Sequence, residues 1–446
     1  MRAWQYVGWR IGPVALGLFA CIGQIKANPV LVWSPVDLTL VLAAVVVAAS
    51  IWSHVASGPA NKAALIAVAL FVILGLGLIQ SSFDSYAVSK VVGLYTFTLM
   101  CAIAPFYLLR TVAQRRMFLM TLAGLGFIVS AVTLVSPVHP RRDTATYSTE
   151  SVFLGTDTIG TARLAATALI VLLIAAAGGR LKRVPLVVSF VGAAISLAAL
   201  LATQSRGPLV GTILALAVAL VATSAFRRIR IRATIGVAVA LAGLVVFIAF
   251  SGNGDRVVRL FTGTGDASVG ARMQYWQHAI SNIQPAPWGI GWGGFARLLG
   301  LDAGVHVYPH NLVLEVALEA GWVAGLAVIA YLAWTLVRAR RNAVTIVEAV
   351  ILALLVFTVV NALVSGDINS NRLMWILAGC ALSTLSSRTQ HGHRFEHSSR
   401  GRPVRPGSPA IRGAGTNDSR IRLRAARRSG DGEPGGTVEP LPVLLP

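Results

Sequence analysis

The chain has 446 residues, of which 55% are hydrophobic and only 12% are charged. This composition excludes an ordinary soluble globular protein, because such a chain exposes too little polar surface to stay in solution. The formal net charge of +21 would suggest nucleic-acid binding in a soluble protein. Here the arginines fall between apolar runs, where membrane topology requires cations. The composition predicts an all-α integral membrane protein.

Apolar runs long enough to cross a hydrocarbon core of about 30 Å recur along the chain and predict about twelve transmembrane helices. The predicted helices cover residues 11–25, 37–57, 63–80, 90–109, 117–136, 163–179, 184–202, 208–226, 233–251, 311–336, 343–365 and 372–387. Cys21, Cys101 and Cys380 lie in separate apolar runs without metal-ligand spacing. We therefore expect free thiols and no metal site.

Basic residues alternate between the predicted connections and set the orientation. Every second connection is rich in Arg or Lys, as at 227–232 and 338–341, and the positive-inside rule makes these cytoplasmic, together with both termini. The other connections face outward, among them the long loop 252–310 between helices 9 and 10. We expect a multi-pass domain over residues 1–387 in the cytoplasmic membrane and a disordered basic tail over 388–446. The tail arginines either bind anionic lipid headgroups or only solvate the tail.

Two arginines at outward positions oppose the insertion bias. Arg206 stands in the short connection between the seventh and eighth helices. It either snorkels to a headgroup phosphate or clamps a phosphate or pyrophosphate through its planar guanidinium. Arg272 shares one helical face with Tyr275, Trp276 and Ala279. The aromatic residues fit a helix resting on the membrane surface, whereas a buried Arg272 on that face needs an anionic partner.

A glycine-rich stretch follows that helix, with Gly289, Gly291, Gly293 and Gly294. No strand precedes it, which argues against a nucleotide-binding loop. We expect a tight irregular path, with Trp288 and Trp292 anchored at the membrane interface.

The sequence Tyr308-Pro309-His310-Asn311 opens the predicted tenth helix, and Asn311 suits its N-cap. His310 is either a hydrogen-bonded structural residue or a general base, since its ordinary pKa of about 6.5 suits catalysis at neutral pH. Glu315 and Glu319 follow at i, i+4 spacing inside an apolar run. Carboxylates at such depth hold helix packing, bind a cation such as Arg206, or shape an acceptor cavity.

A polar turn precedes the predicted twelfth helix. It contains Asp367, Asn369, Asn371 and Arg372. Such a turn is ordinary by itself, but together with Arg206, Arg272 and His310 it would close one polar site on the outward face.

From about Thr203 to Trp322, the order and spacing of these motifs resemble the O-antigen ligase and O-antigen polymerase superfamily. The motifs are Ser205-Arg206-Gly207, Arg272 with Trp276, Gly289-Ile290-Gly291-Trp292-Gly293, and His310-Asn311 followed by Glu315 and Glu319-Ala320-Gly321. The resemblance implies a metal-independent, GT-C-like glycosyltransferase that needs no cofactor. It further implies transfer of a glycan from an undecaprenyl-diphosphate carrier to a hydroxyl acceptor at the outer face of the cytoplasmic membrane.

On this resemblance, Arg206 and Arg272 bind the carrier diphosphate, and His310 activates or positions the acceptor hydroxyl. Guanidinium groups suit the charge that develops on a diphosphate leaving group, and a nearby base takes the hydroxyl proton. The further residues expected to line the substrate site are Trp276, Glu315, Glu319, Asp367 and Arg372. The expected partners are the lipid-linked glycan, a hydroxyl-bearing glycan or other acceptor, and membrane lipids, but no nucleic acid.

Two other classes of function remain open on the sequence. A transporter or flippase also needs many helices and intramembrane charges such as Lys90, Glu315 and Glu319, although no internal repeat is evident and the distinctive residues gather at one face. A structural scaffold would leave the outward arginines and His310 unexplained. Ligase and polymerase share a glycan donor and differ in the acceptor, so the sequence does not separate them.

Overall fold

The described residues of the chain form an almost entirely helical structure, as predicted. The computed structural model describes residues 2–25, 36–59, 62–135, 150–151, 156–178, 182–203, 205–222, 267–285, 287–302 and 305–383. Its β-structure is one antiparallel pair within the described ranges, Glu150–Ser151 (β1) with Thr156–Asp157 (β2). The predicted helix at 233–251, residues 252–266 of the predicted loop and the predicted tail at 388–446 lie outside the described residues.

The first half of the chain forms helices α1 to α7. They are α1 (Arg2–Ile25), α2 (Leu38–Ser57), α3 (Ala63–Leu74), α4 (Ser85–Gly93), α5 (Leu99–Ile103), α6 (Pro105–Leu108) and α7 (Val112–Val135). A 3-10 turn, Gly75–Leu78, extends α3, and a π turn, Leu94–Thr98, joins α4 to α5. Ser85–Leu108 therefore runs as one apolar stretch of 24 residues.

The second half forms helices α8 to α16. They are α8 (Thr158–Ala177), α9 (Arg183–Ala202), α10 (Arg206–Ala222), α11 (Ala267–Ile283), α12 (Gly294–Leu298), α13 (Leu312–Glu319), α14 (Trp322–Asn342), α15 (Ile346–Ala362) and α16 (Arg372–Ser383).

Six helices in the described part of the chain are long and apolar enough to cross a membrane: α2, the stretch Ser85–Leu108, α7, α8, α9 and α14. Shorter apolar helices are Arg10–Ile25 within α1, Ala63–Leu78, α10, α15 and α16. This pattern is that of a multi-pass membrane protein. The predicted count of twelve stays a prediction, because the predicted ninth helix falls outside the described residues.

The prediction of one continuous helix over 311–336 is wrong, because this region forms two helices. Helix α13 ends at Glu319, and α14 begins at Trp322. Gly321 between them has φ 92°, which an α-helix cannot contain. A Cβ at Gly321 would also lie 2.4 Å from the carbonyl oxygen of Pro287. The break therefore makes room for a second chain segment at this point.

Among the described helices of twelve or more residues, α8, α15 and α16 are the most deeply buried. In α16 every side chain from Met374 to Ser383 is buried, and most of α15 is buried as well. Cys21, Cys101 and Cys380 are buried and free, as predicted. Because α15 and α16 are central, the turn between them, Leu363–Asn371, lies at the middle of one end of the helix bundle. We call this end the His310 end, since His310 interacts electrostatically with Asp367 of that turn.

Candidate functional site

Helix α11 is amphipathic and carries the predicted face. Arg272, Tyr275 and Trp276 are partly buried and Ala279 is fully buried, whereas the residues between them are exposed. The indole Nε1 of Trp276 donates a hydrogen bond to the carbonyl oxygen of Pro309 at 2.9 Å. The face therefore packs on protein, and it fastens α11 to the segment that holds His310.

His310 lies in an unusual backbone conformation between two tyrosine rings. Its φ is 57°, which non-glycine residues seldom adopt. The ring of Tyr308 is 4.4 Å from the imidazole, and that of Tyr275 lies nearly parallel to it at 6.3 Å. The imidazole Nδ1 is buried and has no hydrogen-bond partner among the described residues. Strain and an unsatisfied buried nitrogen are costs that functional sites commonly carry.

Burial and the charge of Arg272 keep His310 neutral. Burial lowers the pKa of His310 from 6.5 to about 4, the positive charge of Arg272 acts in the same direction, and the negative charge of Asp367 opposes both. The imidazole therefore carries no charge at neutral pH and is able to accept a proton. Among the described residues, Arg272 and Asp367 are the charged groups that shift this pKa, so the structure brings these two and His310 together.

The turn that carries Asp367 is fastened on several sides. The carbonyl oxygen of Asp367 accepts a hydrogen bond from Nδ2 of Asn371 at 2.7 Å. The Asn369 side chain donates to the carbonyl oxygen of Lys90 at 2.8 Å and accepts from the Thr98 hydroxyl at 2.7 Å. Helix α4 and the π turn thus hold the turn in place, which fixes the position of the Asp367 charge relative to His310.

Arg372 opens α16 and points into the bundle. Its guanidinium lies over the rings of Phe19, at 4.7 Å, and Phe97, at 5.3 Å. Nη1 is buried without a hydrogen-bond partner in the described ranges. Cation–π contacts of this kind stabilise a guanidinium without neutralising it. Arg372 therefore retains a full positive charge beside the Asp367 turn.

Arg206 is the first residue of α10. The next residue, Gly207, lies against α15, since a Cβ there would be 3.1 Å from Val364 and 3.7 Å from Oδ1 of Asn361. Helix α15 leads directly into the Asp367 turn. Arg206 is thus joined to the His310 end of the bundle through α15, and it is not one of the groups that shift the His310 pKa.

Glu315 and Glu319 are both fully buried and share one cation. Lys90 Nζ lies 2.6 Å from Oε1 of Glu315 and 2.5 Å from Oε2 of Glu319, and all three side chains are 0% exposed. Because neither carboxylate is accessible in this structure, substrate cannot contact them without a rearrangement. Their i, i+4 spacing places both on the face of α13 that meets α4.

The glycine-rich stretch passes through the break between α13 and α14. Gly289, Gly291 and Gly293 have φ of 82°, 87° and 77°, which confirms the expected irregular path. The N–H groups of Ile290 and Gly291 donate to the carbonyl oxygens of Leu318 and Glu319, at 2.9 and 3.0 Å. The last carbonyl groups of α13, which a helix end leaves unpaired, therefore find partners in this stretch.

The prediction that Trp292 anchors the glycine-rich stretch at the membrane interface is wrong. Its side chain is 0% exposed, and its Nε1 donates to the carbonyl oxygen of Leu74 at 3.2 Å. The positive φ of Gly291 and Gly293 turns the chain inward on both sides of it, so the indole enters the bundle against Gly77. Trp288 is 55% exposed.

Two cations near the site have no role that the sequence patterns predict. Lys90 stands in the sequence as an isolated intramembrane charge, and Arg163 belongs to none of the predicted motifs. Nη2 of Arg163 donates to the carbonyl oxygen of Ser365 at 2.9 Å, and Arg163 lines a small pocket with Gln24 and Asn361. In the sequence Arg163 stands at the start of the predicted helix 163–179, after a connection predicted to face outward, where a cation opposes the insertion bias as Arg206 does, and that signal would have identified it.

A family of known proteins matches part of the chain. The family described as O-antigen ligase matches residues 191–329, which include Arg206, Arg272, His310 and both buried glutamates, whereas Lys90 and Asp367 lie outside the match. No curated protein matches the chain. The family implies a glycosyltransferase-like ligase or polymerase that uses lipid-linked glycans in cell-surface polysaccharide biosynthesis. Over residues 191–329 this match supports the resemblance of the chain to the O-antigen ligase and polymerase superfamily.

Proposed function

We propose that the protein transfers a glycan from an undecaprenyl-diphosphate carrier to a hydroxyl acceptor at the outer face of the cytoplasmic membrane, without a metal ion. Arg206 and Arg272 bind the carrier diphosphate, and His310 takes the proton from the acceptor hydroxyl. Trp276, Asp367 and Arg372 complete the surroundings of the reacting groups. The observation that carries this proposal is the His310 imidazole, stacked on the face of α11 that also bears Arg272, with a buried Nδ1 that has no partner among the described residues.

The transfer breaks one bond and forms another at the same carbon. The acceptor oxygen attacks the anomeric carbon of the glycan, and the bond from that carbon to the carrier diphosphate breaks. The hydroxyl proton passes to His310, and undecaprenyl diphosphate leaves with the electron pair. Negative charge on the diphosphate increases during this step, so the guanidinium groups bind the transition state more strongly than the donor. Such differential binding accelerates a reaction.

Binding of the glycan donor improves His310 as a base. A pKa of about 4 makes the free imidazole a weak base at neutral pH. A diphosphate bound to Arg272 offsets the guanidinium charge and adds negative charge nearby, and both effects raise the pKa of His310. The base thus becomes effective when the glycan donor is in place, which couples proton removal to donor binding.

The test replaces each proposed residue in a strain that lacks the native protein. Arg206→Ala, Arg272→Ala and His310→Asn are expected to abolish glycan transfer while the proteins still insert at normal levels. Asparagine is chosen at position 310 because it tolerates the observed φ of 57°. The measurements are the glycan on the cell surface and transfer in vitro, with the lipid-linked glycan extracted from the deletion strain as donor.

Matched controls lie in the same part of the chain. Arg297 and His306 are exposed residues between α11 and α13. Arg297→Ala and His306→Asn are expected to retain transfer. Normal product from all three site variants would overturn the proposal, and movement of the glycan lipid across a liposome membrane without glycoside formation would establish a flippase in its place.

The deletion strain also separates the two kinds of transferase. Loss of long chains with single units still attached indicates a polymerase, because only chain growth has stopped. Accumulation of long carrier-linked chains that remain unattached indicates a ligase. Chain length and attachment are both read from gels of the extracted glycan and from its lipid-linked fraction.

A further inference from the structure

Lys90 connects two elements that support His310. It forms ion pairs with Glu315 and Glu319 of α13, and its Nζ lies 5.6 Å from the ring of Trp292 in the glycine-rich stretch. Oε2 of Glu319 accepts a second hydrogen bond from the N–H of Gly293 at 3.1 Å. One buried ammonium group therefore ties α4 to α13 and to residues 289–295 at the same time.

The first route from Lys90 to His310 runs along α13. Glu315 and Glu319 hold this helix by its inner face, and Asn311 caps its start by accepting from the N–H groups of Val313 and Leu314 at 3.0 and 3.1 Å. His310 directly precedes this cap. A shift or rotation of α13 would therefore displace the imidazole.

The second route runs through the glycine-rich stretch. Gly293 is bound to Glu319, and two residues later the ring of Phe295 meets that of Tyr275 edge-on at 5.7 Å. Tyr275 in turn stacks on His310. A displacement of Glu319 would thus also shift His310, through the contacts of Gly293, Phe295 and Tyr275.

Burial of an ammonium and two carboxylates is poorly explained by stability alone. Removing three charges from water has a large desolvation cost, and well-packed neutral residues often replace such clusters without loss of stability. A buried charge cluster does fix one geometry, since each group has few alternative partners. This cluster joins residues more than two hundred positions apart in the sequence, at the helix whose N-cap directly follows the proposed base.

We propose that Lys90, through its buried ion pairs with Glu315 and Glu319, is a positioning residue that fixes α13 and residues 289–295 and thereby holds His310 in its reactive place. Lys90 lies outside the segment that matches the O-antigen ligase family. The role of the held imidazole in transfer rests on the proposed function, whereas the positioning itself does not.

The experiment measures the position of His310 without using activity. Purified protein is treated with diethyl pyrocarbonate, which acylates accessible neutral imidazoles, and mass spectrometry follows His310 and the exposed His278 in the same molecules. In the native protein His310 is expected to react more slowly than His278. In Lys90→Met the ratio of the two rates is expected to rise several-fold, because the imidazole is released from its enclosure.

The matched control breaks a further buried ion pair among the described residues, one that also joins the two halves of the chain. Arg115 pairs with Glu348 at the start of α15, at the end opposite the Asp367 turn. Arg115→Met is expected to lower stability but to leave the ratio of His310 to His278 unchanged. An unchanged ratio in Lys90→Met, or an equal rise in Arg115→Met, would overturn the proposal.

A second variant tests the proposal if Lys90→Met does not fold. Glu319→Gln keeps the side-chain shape and an oxygen for the Gly293 N–H but removes the charge that binds Lys90. It is expected to raise the same ratio, and an unchanged ratio in folded Glu319→Gln would decide against the proposal if Lys90→Met cannot be purified.

The activity measurement then separates the two proposals. With extracted lipid-linked glycan, Lys90→Met is expected to lower kcat while the KM for the glycan donor changes little, because Arg206 and Arg272 remain. Lys90→Arg retains the cation and should recover part of the loss in kcat. Failure of the native enzyme to transfer glycan would refute the proposed function. A raised ratio of the His310 to the His278 acylation rate in Lys90→Met would still establish that Lys90 positions His310.

Discussion

Gly291→Ala should disrupt the joint between the glycine-rich stretch and the helix break. Gly291 has φ 87°, and a Cβ there would lie 2.3 Å from the carbonyl oxygen of Gln80 and 2.6 Å from the backbone nitrogen of Ser81. Because these are backbone atoms between α3 and α4, they cannot rotate away as a side chain would. The substitution must therefore move the stretch or strain it in place.

Two costs add at this position. A non-glycine residue in a left-handed conformation costs about 1–2 kcal/mol, and overpacking a well-packed site costs about 1–3 kcal/mol more. We expect Gly291→Ala to lose about 2–5 kcal/mol of unfolding free energy. Gly300→Ala isolates the first cost, since Gly300 has φ 68° and an added methyl group would meet no atom within 4 Å, and it should lose only about 1–2 kcal/mol.

The assay is unfolding of both variants in the same detergent, followed by size-exclusion chromatography after heating and by chemical denaturation. Gly291→Ala should also lose glycan transfer, because the N–H of Gly291 holds the end of α13. Gly300→Ala should retain it. Equal losses of stability in the two variants would refute the reasoning, since the close approach to Gln80 would then have no energetic consequence.

Two further predictions concern the start of α13. Asn311→Ala should cost about 1 kcal/mol of stability, whereas Asn311→Asp should retain most of it, because aspartate also accepts the N–H groups of Val313 and Leu314; denaturant midpoints measure both. The depressed pKa of His310 stabilises the fold fully above pH 6.5, and this contribution falls as the pH drops towards 4 because only the unfolded chain then binds the proton. The loss is about 3 kcal/mol, and His310→Asn should lack it when unfolding midpoints are compared across that range of pH; an identical pH dependence in the two proteins would contradict the assignment.

Local sequence signals predicted several parts of the site. The spacing of Arg272, Tyr275, Trp276 and Ala279 gave the buried face of α11, because helical periodicity is independent of what the helix packs against. The cap at Asn311 followed in the same way, since a capping side chain bonds to N–H groups only two or three residues away. Both features depend on neighbours along the chain.

Features that depend on distant residues were not predicted. The run from 311 to 336 is apolar throughout, and the break at Gly321 is stabilised by hydrogen bonds from the stretch near Gly291, which periodicity cannot detect. Similarly, Lys90 and Glu319 are single charges in separate apolar runs, and the sequence does not identify them as partners. Burial of Trp292 was missed for the same reason, since its pocket is formed by α3 and α4.

The helix break also limits how substrates reach the site. The carbonyl oxygens of Leu318 and Glu319 are satisfied only while residues 290 and 291 stay in place, and apolar surroundings offer no water to replace those partners. Lifting the glycine-rich stretch away would leave two carbonyl groups and the Glu319 carboxylate unsolvated together. This stretch therefore works as a fixed wall, and under the proposed function the lipid-linked glycan must reach His310 past other surfaces of the protein.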